Sequence, residues 1–150
     1  MNLIADIGNG TMNTLYMING KPQQGKMFTE KFGTHQCTIA IREAFMQKTQ
    51  REINDAIIDE VLITGTANIA PADLKIIKIV AAEYVRDIFR RLREHGYDES
   101  TMTLYVTGGG GCLVKNFYKF STDRVKFVED ICAAAKLSLI HISEPTRPIS

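Results

Sequence analysis

Hydrophobic residues recur at steps of three and four from Leu74 to Leu92, where Leu74, Ile77, Val80, Ala81, Tyr84, Val85, Ile88, Phe89 and Leu92 form one broad stripe. This period predicts the longest helix of the chain, opened by Pro71 at its first turn and followed by Gly96 just past its end. Tyr84 and Phe89 lie on the stripe, which makes them core candidates before they are ligand contacts. Upstream, Ile53, Ala56, Ile57, Val61 and Leu62 also recur at helical spacing between Arg51 and Thr64, with Gly65 placed to end a helix. The β-branched content of Ile57-Ile58 and Val61-Leu62-Ile63 would suit a strand as well; the spacing favours a helix.

The first third of the chain has a different texture. Leu3–Gly8 reads as a buried strand, and Asn13–Ile18 as a second one that leads into Asn19-Gly20, a strong signal for a two-residue hairpin turn. Gly25–Phe32 supplies a third strand. The antiparallel meander then meets Gly33-Thr34, where Thr34 can cap a helix running to about Gln47 with Ile39, Ile41 and Phe45 among its apolar residues. After the long helix, Thr103–Thr107 is the next strand, Leu113–Phe120 the next helix and Val125–Val128 a last short strand. Strands that meander and then alternate with helices predict an α/β fold.

Two segments break this pattern and carry the candidate chemistry. The first, Asp6-Ile7-Gly8-Asn9-Gly10-Thr11, follows the apolar Leu3-Ile4-Ala5 and sets a carboxylate, two glycines and a hydroxyl side by side. Gly8 and Gly10 allow positive φ and a close approach of phosphate to the backbone, whose exposed amides form an anion-binding concavity. Asp6 can hold a hydrated Mg²⁺ that offsets the phosphate charge. The bland alternative is an ordinary turn rich in Gly and Asn.

The second segment, Val106-Thr107-Gly108-Gly109-Gly110-Gly111, lies between the strand Leu104–Thr107 and a helix-like stretch starting at Cys112. Four successive glycines are entropically costly unless a close contact requires them. A strand feeding a glycine loop and then a helix is a recurrent place for nucleotides to bind. It is neither a Walker A loop, for no Gly-Lys-Ser/Thr follows, nor a dinucleotide fingerprint. Its alternative is a flexible linker, which the apolar strand and the amphipathic helix on either side disfavour.

Composition narrows the classes further. A chain of 150 residues, 45% hydrophobic and 23% charged, has the substance for one domain with a real core. A formal net charge of +1 gives no argument for nucleic acid or an anionic membrane as a partner. Arg86, Arg90, Arg91 and Arg93 cluster, but Asp87 and Glu94 between them make a solvated face the better reading. Cys37, Cys112 and Cys132 have no metal-binding spacing, and His35, His95 and His141 stand apart, so neither a zinc site nor a Cys/His nucleophile is supported. No apolar stretch approaches the roughly 20 residues that span a bilayer, and a reducing cytoplasm fits the cysteine usage.

With the two loops in these places, the chain resembles the second nucleotide-binding domain of the actin, sugar kinase and Hsp70 superfamily. Within that superfamily it is most similar to bacterial actin-like plasmid segregation proteins of the ParM/StbA type. The match runs from about Leu3 to Lys136. Asp6-Ile-Gly-Asn-Gly-Thr11 resembles the superfamily's second phosphate motif, and Val106-Thr-Gly-Gly-Gly-Gly111 its adenosine motif. The resemblance implies a ribonuclease-H-like domain that begins with a three-stranded meander, and it implies ATP/ADP and Mg²⁺ as cofactors. Asp6 would order Mg²⁺ and the attacking water as the catalytic and metal residue. Gly8, Asn9, Gly10 and Thr11 would hold phosphates, Gly33 would lie near the nucleotide, and Gly108, Gly109 and Gly110 would pack on adenosine. Where the commoner pattern has Gly and Asp, this chain has Asn9 and Asn13, so a second carboxylate is lost.

The resemblance further implies an ATPase whose protomers form filaments and move plasmid DNA through a separate DNA-binding adaptor, without membrane or direct nucleic-acid contact. The superfamily's other phosphate motif and its water-positioning residue belong to a preceding domain. Residues 1–136 are therefore expected to be the second half of a longer protein, with Met1 an internal methionine. Leu137-Ser-Leu-Ile-His-Ile-Ser-Glu-Pro-Thr-Arg147 resembles a translated sequencing adapter, which makes 137–150 a non-native tail. Two other readings stand beside this one: half of a chaperone or of a sugar or acetate kinase, and a standalone protein-interaction module whose glycine loops merely turn.

Overall fold

The computed structural model describes residues 1–23, 25, 27–118 and 124–128. Strands β1 (Asn2–Ile7), β2 (Met12–Ile18), β3 (Lys21–Pro22) and β4 (Phe28–Glu30) come first, then helices α1 (Thr34–Thr49), α2 (Asp55–Thr64) and α3 (Pro71–Glu94). They are followed by β5 (Thr103–Thr107), α4 (Gly111–Phe117) and β6 (Val125–Phe127). The strands form one mixed sheet in the order β3-β2-β1-β5-β6, with β4 also paired to β2. β1 is antiparallel to β2 and parallel to β5, so β1 and β5 end at the same edge of the sheet.

Alternation along the strands separates two faces. Leu3, Ala5 and Ile7 are buried, in register with Tyr16, Thr14 and Met12 of β2, and Leu104 and Val106 of β5 continue the first two rows. This face meets the helices. Ile77, Ala81, Tyr84, Val85, Ile88, Phe89 and Leu92 of α3 are buried in the same core, as the stripe predicts, while Leu74 and Val80 pack at its margin. The opposite face carries Asn2, Ile4 and Asp6 of β1; Asp6 and Asn13 are exposed, and Ile4, Leu15 and Tyr105 are half-buried.

Local chemistry accounts for most boundaries. Asn19 and Gly20 both take left-handed φ, 52° and 77°, which a two-residue hairpin turn needs. Between the two readings of residues 51–64 the helix is the one observed: the Asn54 carboxamide oxygen accepts from the Ala56 amide at 2.8 Å, and Gly65 closes the helix at φ 85°. It begins at Asp55 rather than Arg51, because Asn54 caps it. Pro71 stands in the first turn of α3, with Gly96 at φ 99° beyond its end.

Three expectations are corrected. The third strand, expected over Gly25–Phe32, is only β4 (Phe28–Glu30), and a separate short strand, β3 (Lys21–Pro22), precedes it on the same edge of β2. The cap of α1 is Gly33 rather than Thr34, and α1 runs to Thr49 rather than about Gln47. Ile39, Ile41 and Phe45 lie on α1 as expected; Ile41 and Phe45 enter the core, while Ile39 is 36% exposed. The last helix starts at Gly111, inside the glycine run, and ends at Phe117; Lys119 and Phe120 lie outside the described residues, as do Cys132, His141 and the whole of 137–150.

Candidate functional site

The parallel pairing of β1 with β5 brings the two glycine segments together. Asp6 is opposite Thr107 on one side and Asn13 on the other, so its carboxylate sits in a polar row at the sheet edge from which both loops depart. Asn13 is not idle there: its carboxamide oxygen accepts from the Thr29 hydroxyl at 2.7 Å. Gly8, Asn9, Gly10, Thr11, Gly33, Gly108, Gly109 and Gly110 all lie around this edge, joined by the contacts that follow.

The first loop is held by its carbonyls. The Thr34 amide donates to Gly8 O at 3.1 Å and the His35 amide to Asn9 O at 2.7 Å, so the first turn of α1 is capped by the loop. The Gln36 side chain completes the clamp, accepting from the Gly33 amide at 2.9 Å and donating to Gly10 O at 3.1 Å. The Gly8 amide closes the loop on Thr11 O at 2.9 Å. Carbonyls that point at α1 leave the amides beside them facing away, and among the described residues no carbonyl accepts from Asn9 or Gly10. Nothing lies within 4 Å of where a Cβ on Gly10 would stand. Bare amides next to open space are the makings of an anion site.

Gly33 is the hinge of this arrangement. A Cβ there would stand 2.5 Å from Asn9 O and 2.6 Å from Gly8 O, closer than any side chain permits. Its glycine is thus dictated by the loop it supports. The Tyr84 hydroxyl, buried, donates to Gly33 O at 2.7 Å. Burial, first of all, holds this phenol well above its ordinary range, so it remains a donor.

The second loop is packed onto β1. The Gly110 amide donates to Ile7 O at 2.8 Å and the Gly111 amide to Gly108 O at 3.1 Å. Those two amides are spent inside the fold, while among the described residues no carbonyl accepts from Gly108 or Gly109. Gly108, at φ 86°, would drive a Cβ into the Asp6 carboxylate and to 2.6 Å from Ile7 O. Gly110 would drive one into the Ile7 side chain. Gly109 is different: it is exposed, and a Cβ there would meet nothing within 4 Å. Of the glycines expected to pack on adenosine, two are therefore required by β1, and Gly109 offers a flat open surface.

Sequence reasoning missed Gln36, the Thr34 and His35 amides, and Tyr84. The pattern of a cap residue followed three positions later by Gln was available at Gly33 and Gln36, but reading Thr34 as the cap put it one residue out of step. Other features bear no such chemistry. An open groove of about 540 Å³ between α1 and α2, lined by Arg42, Met46, Ile53 and Asp55, contains none of these residues. Burial pushes the Cys37 thiol up to about 12, which disqualifies it as a nucleophile. Among the described residues no three His, Cys, Asp or Glu side chains gather into a metal site, and no helix is long and apolar enough to cross a membrane.

The mixed sheet and its four helices match the fold of solved actin-like proteins. The chain aligns with an archaeal actin homolog, Ta0583, at a TM-score of 0.67 and 16% identity, covering 97% of this chain and 48% of that one. It aligns with Bacillus thuringiensis ParM with ATP at 0.63 and 14%, covering 93% and 45%. The non-polymerisable quadruple mutant of pCBH ParM aligns at 0.65 and 14%, covering 97% and 47%. The chain thus spans about half the length of these proteins. No protein-family model matches the chain, and no curated protein does.

Proposed function

We propose that this chain is the nucleotide-binding half of a bacterial actin-like ATPase of the ParM/StbA plasmid segregation type. Residues 1–136 form its second, ribonuclease-H-like domain, and 137–150 are the adapter-derived tail. The observation that carries the reading is the meeting of the two loops at Asp6: bare amides at Asn9 and Gly10 on one side, the open surface of Gly109 on the other, and a carboxylate between them. Solved ParM structures with ATP, ADP and AMPPNP share the fold, which supports the choice of ligand.

The residues suit Mg²⁺ and ATP. Asp6 is an exposed single carboxylate, and Mg²⁺ commonly takes one or two protein carboxylates together with waters and phosphates. Bound there, the ion would supply charge neutralisation for the phosphates. The chain's own part is positional: Asn9, Gly10 and Thr11 direct backbone and hydroxyl donors at the phosphates, and Gly109 lets the adenine lie flat. Phosphoryl transfer to water needs mostly positioning and charge stabilisation. With Asn13 paired to Thr29, this half provides one carboxylate for that task.

In the intact protein, ATP binding would drive protomers into a filament and hydrolysis would destabilise it. A DNA-binding adaptor would carry the plasmid, in the cytoplasm and without direct nucleic-acid or membrane contact by this chain. The test is calorimetric titration of the 150-residue chain with Mg-ATP, beside Asp6→Ala and Gly109→Val. Measurable binding lost in both variants, with little or no turnover, is expected. Binding that neither substitution alters would refute the site. Robust Mg-dependent hydrolysis would instead refute the claim that this half is catalytically incomplete.

A further inference from the structure

A continuous line of contacts reaches the first loop from the far end of α3. His95 stacks on Phe28 with ring centroids 3.5 Å apart, and its Nε2 lies 3.2 Å from the Glu30 carboxylate. Glu30 accepts from the Arg91 guanidinium at 2.9 Å, and that guanidinium lies over the Phe32 ring at 4.0 Å. Phe32 stacks on Tyr84 at 4.1 Å, and the Tyr84 hydroxyl donates to Gly33 O. Gly33 then abuts the carbonyls of Gly8 and Asn9.

We infer that the Tyr84 hydroxyl is a positioning group for the first loop. It holds Gly33 in place, and through Gly33 the carbonyls of Gly8 and Asn9 and the direction of the amides beside them. Packing alone does not call for a hydroxyl at this position; phenylalanine would fill the same space against Phe32. The other donor to Gly33 O, the Cys37 amide, is a long 3.4 Å away, so the phenol makes the shorter bond. Tyr97 offers the contrast: it is 4% exposed in the same core, and among the described residues its hydroxyl has no partner. The inference deepens the nucleotide reading and rests on it for the ligand, though the geometry stands by itself.

The experiment compares Tyr84→Phe and Tyr97→Phe in the 150-residue chain by residue-resolved amide exchange and by Mg-ATP titration. In Tyr84→Phe, exchange at Thr34 and His35 should accelerate about tenfold and Mg-ATP affinity should fall by about the same factor, the measure of one lost hydrogen bond. Exchange at Ile58 of α2 and Leu104 of β5 should not change, and Tyr97→Phe should leave all of these at parent values. Phe32→Leu, which removes the stack and keeps the hydroxyl, should retain protection at Thr34 and His35. Unaltered exchange at those two amides, or acceleration spread equally to Leu104, overturns the inference. Absence of Mg-ATP binding by the parent chain would instead remove the nucleotide reading and leave the exchange result to decide the role of Tyr84.

Discussion

The two glycine loops sit side by side and are held in different ways. The first spends its carbonyls, on the Thr34 and His35 amides, and keeps amides to offer. The second spends its Gly110 and Gly111 amides, on Ile7 and Gly108, is pressed onto β1 at Gly108 and Gly110, and is open at Gly109. Counting glycines cannot separate these cases, because the same residue type serves a close internal contact at Gly33, Gly108 and Gly110 and open space at Gly10 and Gly109. What separates them is whether the fold or open space stands where a side chain would be. Free amides next to open space, as at Gly10, suit phosphate.

The strongest way to break the comparison is Gly108→Ala. A positive φ and a collision with a carboxylate and a backbone carbonyl should together cost about 3 kcal/mol or more, read as a fall in the urea midpoint. A change below about 1 kcal/mol would show that the second loop is not pressed onto β1. Gly33→Ala should follow at about 2 kcal/mol, since φ is −111° there and only the contact with the first loop objects. Its signature is displacement of the Thr34 and His35 amide resonances, and a spectrum unchanged at those residues would contradict the support assigned to Gly33.

Smaller effects sharpen the contrast. Burial pushes the Glu30 carboxyl up, but hydrogen bonds from Arg91 and His95, with their charges, outweigh it and hold it below its ordinary 4.5. A carboxylate with a lowered value stabilises the fold above the ordinary value, and the contribution is lost as pH falls through the lowered one. Glu30→Gln should therefore lose about 1 kcal/mol at neutral pH, and the gap from the parent should close in acid, below the ordinary carboxylate range. A gap that persisted unchanged there would remove the ion pairs as its cause. Least of all, Gly109→Ala should shift stability by no more than about 0.5 kcal/mol, in contrast to Gly108→Ala one residue away. Equal losses at Gly108 and Gly109 would dissolve the distinction on which the adenine surface rests.

Regular elements were legible because their signals are local. The stripe of α3, the Asn19-Gly20 turn and the bounds of β5 need only spacing and turn chemistry, and the structure has them. The helix over residues 55–64 was harder, since its Ile and Val content argued for a strand against the spacing and Gly65, and the Asn54 cap that fixes its start went unread. The two glycine loops were legible as segments but not as an arrangement. Nothing near Gly108 in sequence announces the Asp6 carboxylate, because their contact depends on a parallel pairing across about a hundred residues. Tyr84 was visible only as an apolar position, for period reports burial and is silent about where a hydroxyl points. The bounds of β3 and β4 escaped for a related reason: both pair with β2, and neither is long enough to show a period of its own.

The four residues between Ile7 and Met12 are tied at every turn: Gly8 to Thr11, Gly8 and Asn9 to α1, and Gly10 to Gln36. Length is therefore as constrained here as composition. Most surface loops absorb an inserted residue with little consequence. One added anywhere in this span would have to undo a tie on one side or the other, and could not be hidden in slack. Variation in chain length among related molecules should accordingly collect around the break between β3 and β4, and the stretch from Asp6 to Met12 should keep its count even where its letters change.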